Sequence, residues 1–220
     1  MTVRVDAAGD SINKYGEQLC GDRIEIVRSA SGVTAMLADG KGGGIKANML
    51  ASLAVKMMST LLAGGTPVEE IADMIVESQP AGREDGVSYS AFTLIQVIFG
   101  GMIYIAQMET PDVLLFQRGK PVRVETRGRT RQGRLIRFGV SNCGEADTVV
   151  AVSNGMLNAG GGRDLENGLR LQDISTFMAH AYSPGVAPEK LVRLLLNAGS
   201  SLSRKKPKED LSAVVFRMKR

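Results

Sequence analysis

Met36-Leu37-Ala38-Asp39-Gly40-Lys41-Gly42-Gly43-Gly44-Ile45-Lys46-Ala47-Asn48 is the stretch on which the reading of this chain turns. A strand-like apolar run, Val33 to Ala38, stops abruptly at an acid, and four of the next five residues are glycine. A helical pattern then runs from about Ile45 to Leu62. Glycine lets the backbone turn sharply and come close to a ligand or ion. An acid at the end of a buried strand, beside such a loop, can aim its carboxylate and nearby carbonyls at a hard cation. Glycine-rich strand-to-helix turns are common in α/β and α+β proteins, so the stretch alone marks a place and not a function.

Upstream, Cys20-Gly21-Asp22-Arg23 leads into the alternating run Ile24 to Arg28, and Ser29 to Gly32 reads as a tight turn. If Ile24–Arg28 and Val33–Ala38 form a hairpin, Asp22 and Asp39 stand at the same end of it. Downstream, the first helix carries apolar residues at helical spacing and stops at Gly64-Gly65. Thr66-Pro67 opens a second helix, with threonine as cap and proline in the first turn, running to about Ser78. The methionines of both helices read as core filler.

Strands are predicted over 90–99, 102–108 and 113–117, with a hairpin turn at Gly100-Gly101. A further strand pair is expected around Val122 and Leu135, and another buried strand over 148–153, ending at Asn154-Gly155. Two more helices, about 164–182 and 188–197, precede a last strand over 211–216. Strands and helices come in groups, which predicts an α+β layered sandwich with a largely antiparallel sheet. No low-complexity linker or internal repeat interrupts the 220 residues, so a single domain over 1–220 is expected.

Composition narrows the chemistry. One histidine, His180, disfavours histidine-based zinc sites and Ser-His triads. Aromatics at 5% and no tryptophan give little for a base-stacking platform, so no nucleic-acid partner is expected. No apolar run approaches the ~20 residues that span a bilayer, and the amino terminus lacks a signal-peptide core, so no membrane association is expected. Cys20 and Cys143 stand far apart, which suits a reduced, cytoplasmic protein. The net charge of +4 is uneven, with Arg118, Lys120, Arg123, Arg127, Arg129, Arg131, Arg134 and Arg137 opposed in that stretch only by Glu125. That segment reads either as a solvated strand-and-loop face or as a docking surface for an acidic or phosphorylated partner.

Asp22, Asp39-Gly40, Asn154-Gly155 and Glu209-Asp210 all stand at strand ends. Gathered together, such oxygen donors suit magnesium or manganese, and two such ions can activate a water for attack on a phosphate ester. Scattered, they are ordinary solvated strand ends.

Cys20-Gly21-Asp22, then LADGKGGGIKANMLASLAVKMM from Leu37, YSAFTLIQV from Tyr89, VSNGMLNAG from Val152 and PKEDLSAVVF from Pro207 occur in that order. Together they resemble the sporulation stage II protein E (SpoIIE) branch of the PPM, or phosphatase 2C-like, metal-dependent Ser/Thr phosphatases. The resemblance implies a four-layer α-β-β-α sandwich with a binuclear Mn2+ or Mg2+ site at one end. It implies that Asp39 bridges both ions, that the Gly40 carbonyl binds one of them, and that Asp22 binds on the Gly40 side. Asp22 and Asp39 are thus the implied catalytic acids. Asn154 and Glu209 fall where the family has aspartates for the other ion; its pattern reads SDG and DD where this chain has Ser153-Asn154-Gly155 and Glu209-Asp210.

Both departures strike one metal position. Asparagine offers a neutral oxygen in place of a charged one, and glutamate displaces its carboxylate by ~1 Å or more, an error that can cost a hundredfold. One sound and one weakened position are therefore expected. The implied function is a phosphoprotein serine/threonine phosphatase of bacterial signalling. Its implied substrate is a phosphorylated signalling protein, such as one of the anti-anti-sigma (STAS) type. The alternative is a weak or inactive pseudophosphatase that binds a signalling partner. Three accounts of Asn154 stay open: a low-affinity second ion aided by Asp210, a pseudophosphatase, or an engineered or deamidating position. Of the rest, His180 reads as a packed or surface residue and Cys20 as a small apolar one. Lys41 and Lys46 flank the glycine loop and can attract phosphate.

Overall fold

The computed structural model describes residues 4–41, 44–80, 89–162, 165, 168–183 and 185–219. One sheet runs in the order β2 (Asp22–Arg28), β3 (Gly32–Gly40), β4 (Ser90–Ile98), β5 (Met102–Met108), β9 (Arg134–Asn142) and β8 (Thr126–Arg131). The other runs β1 (Arg4–Ile12), β11 (Leu211–Lys219), β10 (Thr148–Val152), β6 (Leu114–Gln117) and β7 (Lys120–Val122). Every pairing of these strands is antiparallel.

The alternation along β3 shows how the layers form. Val33, Ala35 and Leu37 enter the core between the sheets, where they meet Val214 and Phe216 of β11. Met36 and Ala38 point the other way, under α1 (Gly44–Ala63) and α2 (Val68–Glu77). A strand covered on both faces is apolar at nearly every position, and Val33–Ala38 is interrupted only by the buried Thr34. On the far side α3 (Asn154–Asn158), α4 (Leu171–Ala181) and α5 (Pro188–Leu202) cover Val150, Val152, Ala213 and Val215. The architecture is the expected α+β, four-layer α-β-β-α sandwich.

Two helix boundaries differ from the sequence reading. Pro67, not Thr66, holds the cap position of α2, with no side-chain hydrogen bond there. Glu69 and Glu70 in the first turn instead offer favourable charge to the helix N-terminus. The single helix expected over 164–182 is α4 alone, beginning at Leu171, while α3 starts directly at Asn154. Gly160, Gly162 and Gly168, all at positive φ, separate the two helices. The expected start at Asp164 lies outside the described residues.

The arginine-rich stretch is largely absorbed into the fold. Arg127 pairs with Glu69 at 2.5 Å, Arg129 and Arg131 pair with Asp73 at 2.8 and 3.5 Å, and Arg137 pairs with Asp112 at 3.2 Å. Arg134 is 1% exposed, donates to Gln79 and the Pro80 carbonyl, and stacks 4.0 Å over the Tyr89 ring. These guanidiniums tie β8 and β9 to α2 and neighbouring loops, which leaves Arg118, Lys120 and Arg123 as the more peripheral charges.

Leu37 is 1% exposed at the centre of the sandwich, whereas Leu53 on the outer face of α1 is 58% exposed. Leu37→Ala is expected to cost about 2–5 kcal/mol in urea unfolding. Leu53→Ala is expected to stay within about 0.5 kcal/mol. Equal losses at both positions would contradict the layer assignment.

Candidate active site

The register of the β2–β3 hairpin sets Asp22 directly opposite Asp39. Both carboxylates are nearly buried, at 6% and 8% exposure. Gly40 follows at the start of the loop and donates its N–H to the Gly21 carbonyl at 3.1 Å. A Cβ at Gly40 would lie 2.0 Å from the Ala47 carbonyl oxygen, so only glycine lets α1 pack this close to the strand end. Gly155 does the same for α3: a Cβ there would lie 2.0 Å from the Asp210 carbonyl oxygen.

Several side chains fix the loop that delivers Asp22. Asp210 accepts the Lys14 and Gly21 backbone N–H groups, one on each carboxylate oxygen, both at 2.8 Å. Asn48 of α1 donates to the Cys20 carbonyl at 2.7 Å, and Glu17 accepts the Gly44 N–H at 2.8 Å, capping α1 from across the cleft. Beneath them, Ser212 Oγ donates to Asp22 Oδ2 at 2.6 Å, and Ser153 Oγ accepts the Ser212 N–H at 3.0 Å.

Asp22, Asp39 and Gly40 open onto a cleft of 210 Å³, also lined by Lys14, Lys41, Gly155, Lys208, Glu209 and Asp210. Asn154 reaches Asp39 from α3, its Nδ2 lying 3.2 Å from Asp39 Oδ2 and 2.9 Å from the Glu109 carbonyl. Lys41 Nζ lies 2.7 Å from that same Asp39 oxygen. Glu209 is exposed, and both its oxygens accept Asn158 Nδ2 at 3.0 Å. All five residues singled out as metal candidates thus gather at one end of the sandwich, with Glu209 directed towards the end of α3.

The donor set divides in two. Asp22, Asp39 and the Gly40 carbonyl offer the hard oxygens that magnesium or manganese takes. Burial, and next the charge of Asp39, raise the Asp22 carboxyl well above its ordinary range, a repulsion that a cation relieves. Asn154 and Glu209 fit a second ion poorly, because one turns an amide N–H towards Asp39 and the other is held by Asn158. Among the described residues, no three His, Cys, Asp or Glu side chains converge as a ligand group.

Other candidates fall away. A larger groove of 600 Å³ follows α2, but its Asp73 and Arg129 are paired with each other. His180 is exposed on α4 with Nδ1 against the Thr176 carbonyl at 2.7 Å. Burial, then the charge of Asp210, push the Cys20 thiol up to about 12, and burial and Asp147 do the same to Cys143, so neither is a thiolate nucleophile at neutral pH. Lys46 is exposed on α1. Among the described residues, none lining the cleft is serine, cysteine or histidine.

The sequence reading missed Ser153 and Ser212 as the hydroxyls under Asp22, and Glu109 and Tyr89 as carbonyl partners of Asn154 and Lys41. A serine inside the otherwise apolar run Leu211–Phe216 was the available signal for Ser212. Glu109 gave none, since its role is played by its backbone. No helix among the described residues is long and apolar enough to cross a membrane.

A two-sheet antiparallel sandwich with paired helices outside, and an acid pair at one end, is the PP2C-like phosphatase fold. Stage II sporulation protein E (SpoIIE) matches residues 29–219, and the chain belongs to that family. The phosphatase domain of SpoIIE from Bacillus subtilis superposes with a TM-score of 0.73 at 15% identity, covering 99% of this chain and 93% of that one. The structure of the RsbU and RsbW domains of Rv1364c from Mycobacterium tuberculosis gives 0.77 at 16%, over 99% and 62%. RsbX in complex with magnesium gives 0.66 at 12%, over 98% and 99%. No curated protein sequence matches the chain.

In metal-free buffer Asp22→Asn is expected to raise the melting temperature by about 2–4 °C, the shift for about 1 kcal/mol in a chain of this size. Because the carboxyl is raised, charging it as pH rises works against the metal-free fold, and the variant should lose that decline. Asp39→Asn, which strips Lys41 of its partner, is expected to give no such gain. Thermal melts in chelator from pH 5 to 8 check both.

Proposed function

We propose that this chain is a divalent-metal-dependent phosphoprotein serine/threonine phosphatase. The observation that carries the reading is the facing pair Asp22 and Asp39, with the Gly40 backbone, at the floor of the cleft. The magnesium-bound relative RsbX and membership of the SpoIIE family support a divalent cation there. Asp22, Asp39 and the Gly40 carbonyl would hold the ion, which would supply charge to activate a water and polarise the phosphoryl group.

The chain's own residues do the rest. Ser212 holds Asp22 in orientation, and Asp210 and Asn48 fix the loop that carries it. Lys14 and Lys208 at the rim offer positive charge to the dianionic phosphoryl group. An ion held in the cleft would let water act as the nucleophile, so that no covalent phospho-enzyme is needed. The substrate we propose is a phosphorylated signalling protein of the STAS type. The RsbU and RsbW relative, and a stressosome structure with a TM-score of 0.67 at 18% identity, support a signalling partner. We further propose that the phosphatase domain is a single one over 1–220 and acts in the cytoplasm.

A second reading is a partner-binding domain without turnover, favoured by Asn154 and Glu209 at one metal position. A manganese titration on a small phosphoester separates the two. Turnover is expected to require manganese and to fall at least ~100-fold in Asp39→Asn. Asn154→Asp is expected to lower the manganese requirement. No turnover from the chain or from Asn154→Asp, on the phosphoester or on a phosphoprotein, supports the second reading.

A further inference from the structure

Asp39 Oδ2 receives two donors from the protein itself: the Lys41 ammonium at 2.7 Å and the Asn154 amide at 3.2 Å. We propose that this pair takes the place of the second cation, making the cleft a one-metal site with a built-in positive charge. The inference rests on the reading that Asp22, Asp39 and Gly40 take a divalent ion, but not on turnover.

The orientation of Asn154 follows from its partners. Its Nδ2 faces two acceptors, a carboxylate oxygen of Asp39 and the Glu109 carbonyl, and an amide has two N–H groups to give. Turned over, its oxygen would face both of these oxygens. An aspartate at this position would do the same and would need a cation between them. Asparagine's two N–H groups therefore complement these two oxygens without a cation between them.

Lys41 supplies the charge that Asn154 cannot. Its side chain is 31% exposed and that of Asp39 12%, so the pair is partly withdrawn from water and screened less than a surface pair. Both donors are anchored in one frame. The Lys41 N–H donates to the Tyr89 carbonyl at 2.8 Å, Asn154 is held by the Glu109 carbonyl, and the Tyr89 hydroxyl bonds the Glu109 carboxylate. Glu109 stands in a left-handed turn at φ 55°, and its neighbour Thr110 is fixed by a buried hydroxyl contact to Thr93 at 2.7 Å. Glu209, the other departure, has both carboxylate oxygens on Asn158 Nδ2. Asn154 and Lys41 thus form a single arrangement on one oxygen of Asp39.

The test is manganese stoichiometry of the full chain without substrate, by calorimetry and by metal analysis after gel filtration. The chain is expected to bind one ion, and Lys41→Met combined with Asn154→Asp to bind two. Because that double variant concentrates carboxylates and can lose its metal-free fold, Lys41→Met alone is measured as well. It is expected to tighten the single ion about tenfold by removing the cation that competes for Asp39. Two ions on the unaltered chain, or unchanged affinity in Lys41→Met, overturn the proposal. One ion without turnover leaves it standing and removes the phosphatase reading, whereas turnover with two ions does the reverse. No ion on any variant overturns both.

Discussion

Two buried carboxylates held face to face cannot both be charged without a positive partner, and the end of the sandwich is arranged around that constraint. Asp22 and Asp39 are brought together by β2–β3 pairing alone, across a hairpin that the rest of the fold packs against. Core burial on both faces of β3 fixes the register, because a slip by one residue would exchange the sheet-facing and helix-facing side chains. The same packing that stabilises the protein therefore concentrates negative charge at one point. Hydroxyls from Ser212 and Ser153 and the strap made by Asp210 hold Asp22 in place but add no positive charge.

The positive charge comes unequally to the two acids. Asp39 has Lys41 and an amide N–H on one oxygen, whereas Asp22 has a serine hydroxyl and the proximity of Asp39. That asymmetry leaves Asp22 without a cationic side-chain partner of the kind Lys41 gives Asp39, at the cleft that Gly40 also lines. Close approach at Gly40 and Gly155 then draws α1 and α3 against the strand ends, so loops from both sheets frame one cleft.

Much of this was legible in the residues. The run Val33–Ala38, apolar but for Thr34, announces a buried strand, and hairpin pairing puts Asp22 and Asp39 at the same end, where the register sets them opposite each other. Local pattern failed where long-range partners decide. The arginines of β8 read as a charged face because Glu69 and Asp73, which pair with them, lie more than fifty residues earlier. Asp210 resembled a spare ligand, yet its carboxylate is spent on the backbone of the β1–β2 loop. The short helix at Asn154 carries no periodicity to detect, and it decides which way that side chain faces. Glu209 was placed at the correct strand end, but its capture by Asn158 depends on a turn of α3 that spacing does not reveal.

In the one-metal arrangement proposed above, Asp39 shares its charge between one metal ion and the protein's own Lys41–Asn154 pair. Anomalous diffraction from crystals of the unaltered chain soaked in manganese tests it most directly. The expected result is one manganese peak between Asp22, Asp39 and the Gly40 carbonyl, with the Lys41 ammonium still on Asp39. A second peak between Asp39 and Asn154, with Lys41 displaced into solvent, would contradict it.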